Sequence, residues 1–272
     1  MAALTLLGPL ELPALLKIVP PTILTRLGHP SVAQPPRIPP LVTIILPARN
    51  EAETIATTLE ELQALLGGSV AYLVVDDHST DATREAARVR PDVRVISNSG
   101  PQGLGAALRA GVRAAATPWV LFATADGAES PRDLAVMVAR ITQATDVVEA
   151  VFGDRWHNPA QVVGYGRVAW VLNRLGNHLL ARLVRLSGPW QLTGYADWTN
   201  LAKAYRRHRL LDLVWSDDFR AVVEIPVRYH RRWPQIAILP TDWCRRTAGR
   251  SSWTWRRPLQ LLEAAWRVSL RG

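Results

Sequence analysis

The sequence predicts an α/β protein in which helices cover a mostly parallel sheet, and three observations support this class. The chain of 272 residues is 48% hydrophobic and 20% charged, a balance that is typical of globular proteins and argues against fibrous or disordered chains. Short apolar runs rich in β-branched residues alternate with segments of helical periodicity. Strands that alternate with helices are joined by right-handed crossovers, which produce a mostly parallel sheet.

The first 40 residues are expected to form an extension to this fold. The apolar stretch near the start is interrupted by Pro9, Glu11, Pro13 and Lys17, well before the roughly 20 apolar residues that a membrane-spanning helix needs. No basic segment precedes it and no small-residue cleavage site is clear, so we expect neither a transmembrane segment nor a signal peptide. Seven prolines between positions 20 and 40 disfavour long regular structure.

Residues 42–46 form a continuous apolar run that predicts a strand buried on both faces. Apolar residues then recur at helical spacing over 51–66, before Gly67 and Gly68 end the helix. The same alternation continues along the chain. It predicts strands at 72–75, 93–96, 119–123 and 147–152, and helices at about 80–89, 103–116 and 134–141.

Polar residues follow three of these strands, at the sheet edge where such folds bind their ligands. Carboxylates that converge there repel one another unless a cation or hydrogen-bond donors are present, so the pattern indicates a pocket for a metal and a nucleotide. Helix capping is the alternative for residues 76–81, although it explains residues 79–81 and not the adjacent Asp pair. A solvated loop is the alternative for Asp126 and Glu129. The residues are Pro47, Arg49, Asn50 and Glu51; Asp76, Asp77, His78 and Ser79; and Thr124, Asp126 and Glu129.

The formal net charge of +9 is concentrated near the C-terminus, where residues 228–272 carry ten arginines and only Asp242 and Glu263 as acids. The same residues carry five tryptophans, so this basic tail is expected to contact an anionic membrane surface rather than nucleic acid. A plain solvated tail is the remaining alternative. A lone cysteine, Cys244, excludes an internal disulfide and a cysteine zinc cluster, and it favours a cytoplasmic location.

Three segments occur in a characteristic order and spacing: VTIILPARNEAETI at 42–55, YLVVDDHSTDATREAA at 72–87 and QGLGAALRAGVRAAATPWVLFATADGAESP at 102–131. Together they resemble the glycosyltransferases of family 2, in particular the polyprenyl-phosphate (dolichol-phosphate) mannose and glucose synthases. The resemblance implies a GT-A (Rossmann-like) domain over 41–232, between the extension of residues 1–40 and the tail of residues 233–272. It also implies inverting transfer of a hexose from a UDP- or GDP-sugar to a polyprenyl phosphate, at the inner face of a membrane.

The resemblance also assigns roles to the residues of the donor side. Pro47, Asn50 and Glu51 match the first nucleotide-contacting loop, and Asp76, with Asp77 beside it, matches the carboxylate that reads the base. Gly103 and Gly105 match a segment that opens a helix near the nucleotide. The metal-binding DxD motif reads Thr124-Ala125-Asp126, so Asp126 is the expected ligand of Mg²⁺ or Mn²⁺.

On the acceptor side, Arg155 and Arg232 match two arginines that bind the acceptor phosphate. Residues 224–227 match a family strand, and residues 173–182 match an amphipathic helix. Counted from Asn177, the Asp and Thr positions of the family's D-x-T-S-G stretch hold Trp190 and Leu192. A phosphate acceptor needs no general base, although Asp154, Asp197 or Asp217 could serve as a relocated one.

Thr124 and Trp190 also support a second hypothesis, in which the chain is a catalytically silent relative that acts as a nucleotide-sugar binder or as a partner subunit. A third hypothesis, binding of nucleic acid by the tail, depends on charge alone and predicts a steep dependence on salt.

Overall fold

A computed structural model describes residues 39–143, 147–156, 162–164, 167–186, 197–244 and 256–270. These ranges contain nine strands, eight α-helices of different lengths and a short 3₁₀ turn at Gly67–Ser69. The strands are β1 (Val42–Ala48), β2 (Ala71–Asp76), β3 (Val93–Ser97), β4 (Trp119–Phe122), β5 (Ala150–Asp154), β6 (Val162–Val163), β7 (Lys203–Arg206), β8 (Ile236–Pro240) and β9 (Trp243–Cys244). The helices are α1 (Ile55–Leu66), α2 (Thr83–Arg88), α3 (Leu104–Ala114), α4 (Pro131–Thr142), α5 (Arg167–Leu186), α6 (Arg207–Leu211), α7 (Ala221–Arg232) and α8 (Arg256–Leu270).

Seven of the strands form one sheet in the order β3-β2-β1-β4-β7-β5-β8. All neighbours are parallel except β7, which runs antiparallel to both β4 and β5. The predicted α/β class with a mostly parallel sheet is therefore confirmed. The carboxyl ends of β1, β2 and β4 lie side by side, which brings the polar residues that follow them to one edge.

Two apolar layers cover the two faces of the sheet, because side chains along each strand point alternately to opposite sides. Ile45 belongs to a core with residues of α3, α7 and α8, whereas Ile44 and Leu46 belong to a second core with residues of α1 and α4. Both faces of β1 are therefore buried, as its continuous apolar run predicts.

The strand predicted at 224–227 is wrong, because these residues lie inside α7 even though Pro226 interrupts its hydrogen bonding. Val222, Val223 and Ile225 are buried on this helix, so tertiary burial outweighs the cost of an internal proline. The strand parallel to β5 is instead β8, which begins at Ile236, after the end of α7.

The boundary drawn after residue 232 is not a structural one. Strand β8 joins the sheet beside β5, and α8 packs against α5 and α7 and contributes Leu261 and Ala265 to the core. Most of the described part of the basic tail therefore belongs to the same compact unit as the sheet. Residues 1–38 lie outside the described residues.

Within the described ranges, none of the helices is both long enough and apolar enough to cross a membrane.

Candidate active site

The loops after β1 and β2 are tied together by hydrogen bonds. Asn50 has a positive φ of 56°, and its Oδ1 atom accepts a hydrogen bond of 2.8 Å from the Thr80 backbone N–H. The Glu51 backbone N–H donates to Thr83 Oγ1 at 2.8 Å. Pro47 lies within β1, paired with Val75 of β2. The segment expected to contact the nucleotide is therefore held in one conformation by the neighbouring loop.

Asp76 ends β2 and is buried. Its Oδ2 atom accepts a hydrogen bond of 2.6 Å from Arg84 Nη2, and its Oδ1 atom accepts one of 3.3 Å from the Ser79 backbone N–H. Burial raises the pKa of Asp76, but the hydrogen bonds from Ser79 and Arg84 outweigh it, so the pKa lies below its ordinary value. Asp76 is therefore a charged acceptor at neutral pH.

Asp77, Gly103 and Gly105 stabilise the packing at the carboxyl edge of the sheet. The Asp77 carboxylate accepts hydrogen bonds from Asn98 Nδ2 at 2.7 Å and from the Gly103 backbone N–H at 2.9 Å. A Cβ on Gly103, at a φ of 149°, or on Gly105 would overlap backbone atoms of residues 216–218. These glycines therefore permit close approach of another part of the chain, and Asp77 fixes β2 to the start of α3.

The segment after β4 presents a carboxylate to the same edge. Asp126 is partly exposed, and its Oδ1 atom accepts a hydrogen bond from the Ala128 backbone N–H at 3.2 Å. The Ala125 carbonyl oxygen accepts hydrogen bonds of 3.2 Å from Thr54 and Thr58 of the neighbouring loop and helix. The turn that carries Asp126 is therefore anchored to the segment that follows β1.

Glu129 is a buried carboxyl group beside this turn. Its Oε2 atom accepts hydrogen bonds from the Thr124 backbone N–H at 2.9 Å and from Thr124 Oγ1 at 2.5 Å. Burial, with a further contribution from the charge of Asp126, raises the pKa of Glu129 to about 6. Thr124, at the first position of the altered DxD motif, thus positions a second carboxyl group near Asp126.

Arg155 follows β5 and forms a buried ion pair with Asp197. Arg155 Nε and Nη2 donate to the two Asp197 carboxylate oxygens at 2.9 and 2.6 Å, and the Arg155 backbone N–H donates to the same carboxylate at 2.8 Å. Arg155 Nη2 also donates to Thr199 Oγ1 at 3.0 Å. This two-pronged geometry fixes the plane of the guanidinium group.

Lys203, at the start of β7, lies next to the Arg155–Asp197 ion pair and is buried. Its Nζ donates to the backbone carbonyl oxygens of Asp197, Trp198 and Asn200. Burial lowers the pKa of Lys203 to about 7, although the nearby charge of Asp197 opposes the change. These three hydrogen bonds from Lys203 fix the backbone of the segment 197–200.

A second arginine, Arg174 of α5, lies near Arg155. The two guanidinium carbons are 5.2 and 5.7 Å from the centre of the Trp156 ring, so both arginines flank one indole. Arg232 is not brought to this edge. It ends α7 just before β8 begins, and its Nη1 donates to the Asp212 carbonyl oxygen at the amino edge of the sheet.

Sequence reasoning missed the placement of Asp197 and Thr199. Asn177 of α5 exchanges two hydrogen bonds with Thr199, at 3.0 and 3.3 Å. The Asp-x-Thr sequence at 197–199 is separated from β7 by residues 200–202. We therefore place the Asp and Thr of the family stretch at 197 and 199, not at 190 and 192. Trp190 lies outside the described residues. The Asp-x-Thr spacing at 197–199 is the feature of the sequence from which these two residues could have been predicted.

The carboxyl edge of the sheet is suited to a divalent cation that is bound mainly by the phosphates of a substrate. Among the described residues, no group of three or more His, Cys, Asp or Glu side chains forms a complete metal cage. Mg²⁺ normally uses one or two carboxylates together with water and substrate phosphates, so Asp126 fits this kind of binding.

A profile of the family described as "Glycosyl transferase family 2" matches residues 43–185 of the chain. Glycosyltransferase AglJ of Haloferax volcanii is 31% identical over 215 residues, which cover 78% of this chain but only 65% of AglJ. A dolichyl-phosphate hexose transferase of the same organism is 30% identical over 201 residues, which cover 73% of this chain and 81% of the relative.

Solved structures show the same fold. Glucosyl-3-phosphoglycerate synthase from Mycobacterium tuberculosis, in complex with Mn²⁺, UDP and glucosyl-3-phosphoglycerate, superposes with a TM-score of 0.66 at 21% identity. The match covers 85% of this chain and 80% of that one. The complex of the same synthase with Mg²⁺ and UDP also has a TM-score of 0.66.

Proposed function

Because the chain belongs to glycosyl transferase family 2, we propose that it moves a hexose from a UDP- or GDP-sugar to a polyprenyl phosphate, with inversion at the sugar carbon. The observation that carries this proposal is the convergence of Asp76, Asp126 and Arg155 at one edge of the sheet. The similarity to a dolichyl-phosphate hexose transferase supports a lipid-phosphate acceptor.

On the donor side, the base and ribose would lie against residues 47–51 and Asp76. The Asp76 carboxylate is kept ionised by Arg84 and Ser79, so it can accept a hydrogen bond from an N–H of the base. Asn50 and Glu51 are held in place by the loop at 80–83. The donor site is therefore formed before the nucleotide arrives, which lowers the cost of ordering it on binding.

At the diphosphate, Asp126 would hold Mg²⁺ or Mn²⁺. When bound, the cation would neutralise the negative charge that grows on the diphosphate as the sugar leaves. Glu129 lies beside Asp126 and is anchored by Thr124, so its carboxyl group contributes to the charge of this turn.

On the acceptor side, a phosphate oxygen would attack the anomeric carbon of the sugar. The new carbon–oxygen bond forms as the bond to the nucleoside diphosphate breaks, and the departing group carries the electron pair away. A phosphate is already an anion, so no residue has to remove a proton, and positioning carries most of the effect. Arg155 and Arg174 would hold this phosphate, whereas Arg232 donates a hydrogen bond to the Asp212 carbonyl oxygen.

The test is transfer of a radiolabelled hexose. The purified chain is incubated with labelled UDP-glucose or GDP-mannose, Mn²⁺ or Mg²⁺, and undecaprenyl phosphate in detergent, and label in the organic phase is counted. We expect one donor to label the lipid, and we expect Asp126→Asn to lower the rate by at least about 100-fold. The exposed Asp92, which precedes β3 at the opposite edge, provides the matched control Asp92→Asn. Absence of a labelled lipid with every donor, or an unchanged rate in Asp126→Asn, would refute the proposal.

A further inference from the structure

A cavity opens at the amino edge of the sheet, between the last turns of α3 and the segment that links α6 to α7. Its volume is about 270 Å³, and we call it the amino-edge cavity. Arg206, the last residue of β7, pairs with the first residue of β4, so α6, which begins at the next residue, lies at this edge. The cavity is therefore at the other end of α3 from Gly103, outside the candidate active site.

The floor of the amino-edge cavity is apolar, and apolar side chains also stand at its mouth. Leu210, Leu213 and Trp215 line the cavity and are buried. Leu211 and Val214 line it too, and they are 46% and 75% exposed. An apolar side chain that entered the cavity would remove these surfaces from water together with its own. The cavity is therefore suited to an apolar group of a ligand.

Arginines border the cavity on two sides. Those of α3 are four residues apart, as are those of α7, so each pair lies on one helical face. Arg228 and Arg232 donate to carbonyl oxygens of the segment that links α6 to α7, at 2.5 and 3.3 Å. Arg207 donates to carbonyl oxygens of the last turn of α3, at 2.8 and 3.0 Å. A guanidinium group has five N–H donors, so these bonds leave donors for a ligand. The bordering arginines are Arg109, Arg113, Arg207, Arg228 and Arg232.

The charge around the amino-edge cavity is positive. Residues 104–114 and 207–232 contain eight arginines and four acids. Asp217 forms an ion pair with Arg109 at 2.5 Å, and a second acid of the linking segment is paired with an arginine of the same segment. Within the described ranges no ion pair involves Arg113 or Arg232, and both are exposed. The mouth of the cavity therefore attracts negative charge.

We propose that the amino-edge cavity binds an acidic segment of a partner protein, which inserts a leucine-like side chain while its carboxylates pair with the bordering arginines. Guanidinium groups and carboxylates pair through two parallel hydrogen bonds, which favours carboxylates on both sides of the inserted side chain. Nucleic acid is a poorer occupant, because phosphates would leave the apolar floor unfilled. A second copy of the chain is also poorer, because it would bring two positively charged surfaces together. The inference goes beyond the proposed function, whose residues lie at the opposite edge of the sheet.

Fluorescence anisotropy tests this cavity without donor, acceptor or metal. The probe is a fluorescein-labelled peptide in which leucines are interspersed among aspartates and glutamates. A companion peptide has serine in place of each leucine, and a labelled oligothymidylate of similar charge represents nucleic acid. In about 0.15 M salt, which screens exposed charges beyond about 8 Å, the full chain should bind the leucine peptide at least about tenfold more tightly than either companion.

Two double variants separate the apolar from the charged contribution. Leu211→Ser with Val214→Ser should weaken binding of the leucine peptide at least about fivefold and leave the serine peptide unchanged. Arg113→Gln with Arg232→Gln should weaken binding of both peptides.

Each double variant has a matched control elsewhere on the surface. Val89→Ser with Val136→Ser alters two other exposed apolar residues. Arg88→Gln with Arg132→Gln removes the same charge from exposed positions of α2 and α4. Both controls should bind the leucine peptide as the wild type does.

Equal affinities for the leucine and serine peptides, or equal losses in the variants and their controls, would overturn the inference, because net charge alone would then explain binding. Tighter binding of the oligothymidylate than of the leucine peptide would assign the cavity to nucleic acid and would also overturn it. So would a wild-type dimer that Leu211→Ser with Val214→Ser dissociates, because the cavity would then be a self-interface. None of these outcomes depends on hexose transfer, so failure of the inference is distinguishable from failure of the proposed function.

Discussion

At the scale of single residues, Glu129 has a carboxyl group whose charge the fold disfavours. Its pKa is raised from 4.5 to about 6 by burial and by the nearby Asp126. Because the folded protein binds this proton more tightly than the unfolded chain does, the protonated carboxyl group adds to the stability of the fold. The added stability is fully present at a pH below the pKa of the unfolded chain, and it is lost as the pH rises through the higher pKa of the folded protein. With about 1.4 kcal/mol for each pKa unit, the loss amounts to about 2 kcal/mol.

Glu129→Gln should therefore gain stability relative to the wild type by about 2 kcal/mol between pH 4 and pH 7.5, because the amide does not titrate. The amide oxygen can still accept the hydrogen bonds from Thr124. Urea unfolding in EDTA at both pH values measures the difference. A stability difference between the two proteins that does not change with pH would show that Glu129 titrates normally.

The ion pair of Arg155 and Asp197 is the second feature at this scale, and both side chains are buried. Removing one partner leaves an uncompensated buried charge, so Asp197→Ala should destabilise the fold by about 3–5 kcal/mol. The double variant Arg155→Met, Asp197→Leu should recover a large part of this loss, because it removes both charges. Urea unfolding checks both values, and a cost below about 1 kcal/mol for Asp197→Ala would contradict a buried pair.

At the scale of elements, the docking of α3 depends on a small residue at its start. A Cβ on Gly105 would overlap the Ser216 carbonyl oxygen and lie 2.8 Å from the Ala221 side chain, whereas a Cβ on Gly176 of α5 would meet nothing within 4 Å. Gly105→Ala should therefore destabilise the protein by about 1–3 kcal/mol. Gly176→Ala should stabilise it by about 0.5–1 kcal/mol, because alanine favours a helix.

These two variants form a matched pair, since each adds one methyl group to a helix. Thermal unfolding of both should shift in opposite directions. Stabilisation by Gly105→Ala would show that α3 does not approach residues 216–218 as closely as described.

At the scale of the whole molecule, the first half of the fold is readable from sequence and the second half is less so. Strands β1, β2 and β4 are buried between two helical layers, so they appear as apolar runs, and the helices between the first four strands keep a regular period. Strand β7 runs antiparallel through the middle of the sheet, and nothing local distinguishes it. The short resemblance at 224–227 was misleading because a proline and β-branched residues in a buried helix resemble a strand.

The candidate site divides in the same way. Asp76 and Asp126 stand directly after strands, so their common edge follows from the parallel order of β1, β2 and β4. The partner of Arg155 comes 42 residues later in the chain, and only the packing of α5 and β7 brings Asp197 and Thr199 to it. The position of Arg232 was predicted only from its distance along the chain from residues 224–227, which were expected to form a strand. Because those residues belong to helix α7, Arg232 lies at the amino edge of the sheet instead.

The most direct test of a metal-dependent nucleotide-sugar site at this edge is the melting temperature with UDP-glucose or GDP-mannose, each with Mn²⁺, Mg²⁺ or EDTA. A ligand at about 100 times its dissociation constant stabilises the fold by about 2.7 kcal/mol, a shift of several degrees. We expect one donor to raise the melting temperature of the wild type only with a divalent cation, and we expect Asp126→Ala to abolish the rise. No rise with any donor, or an equal rise in EDTA or in Asp126→Ala, would contradict the site described here.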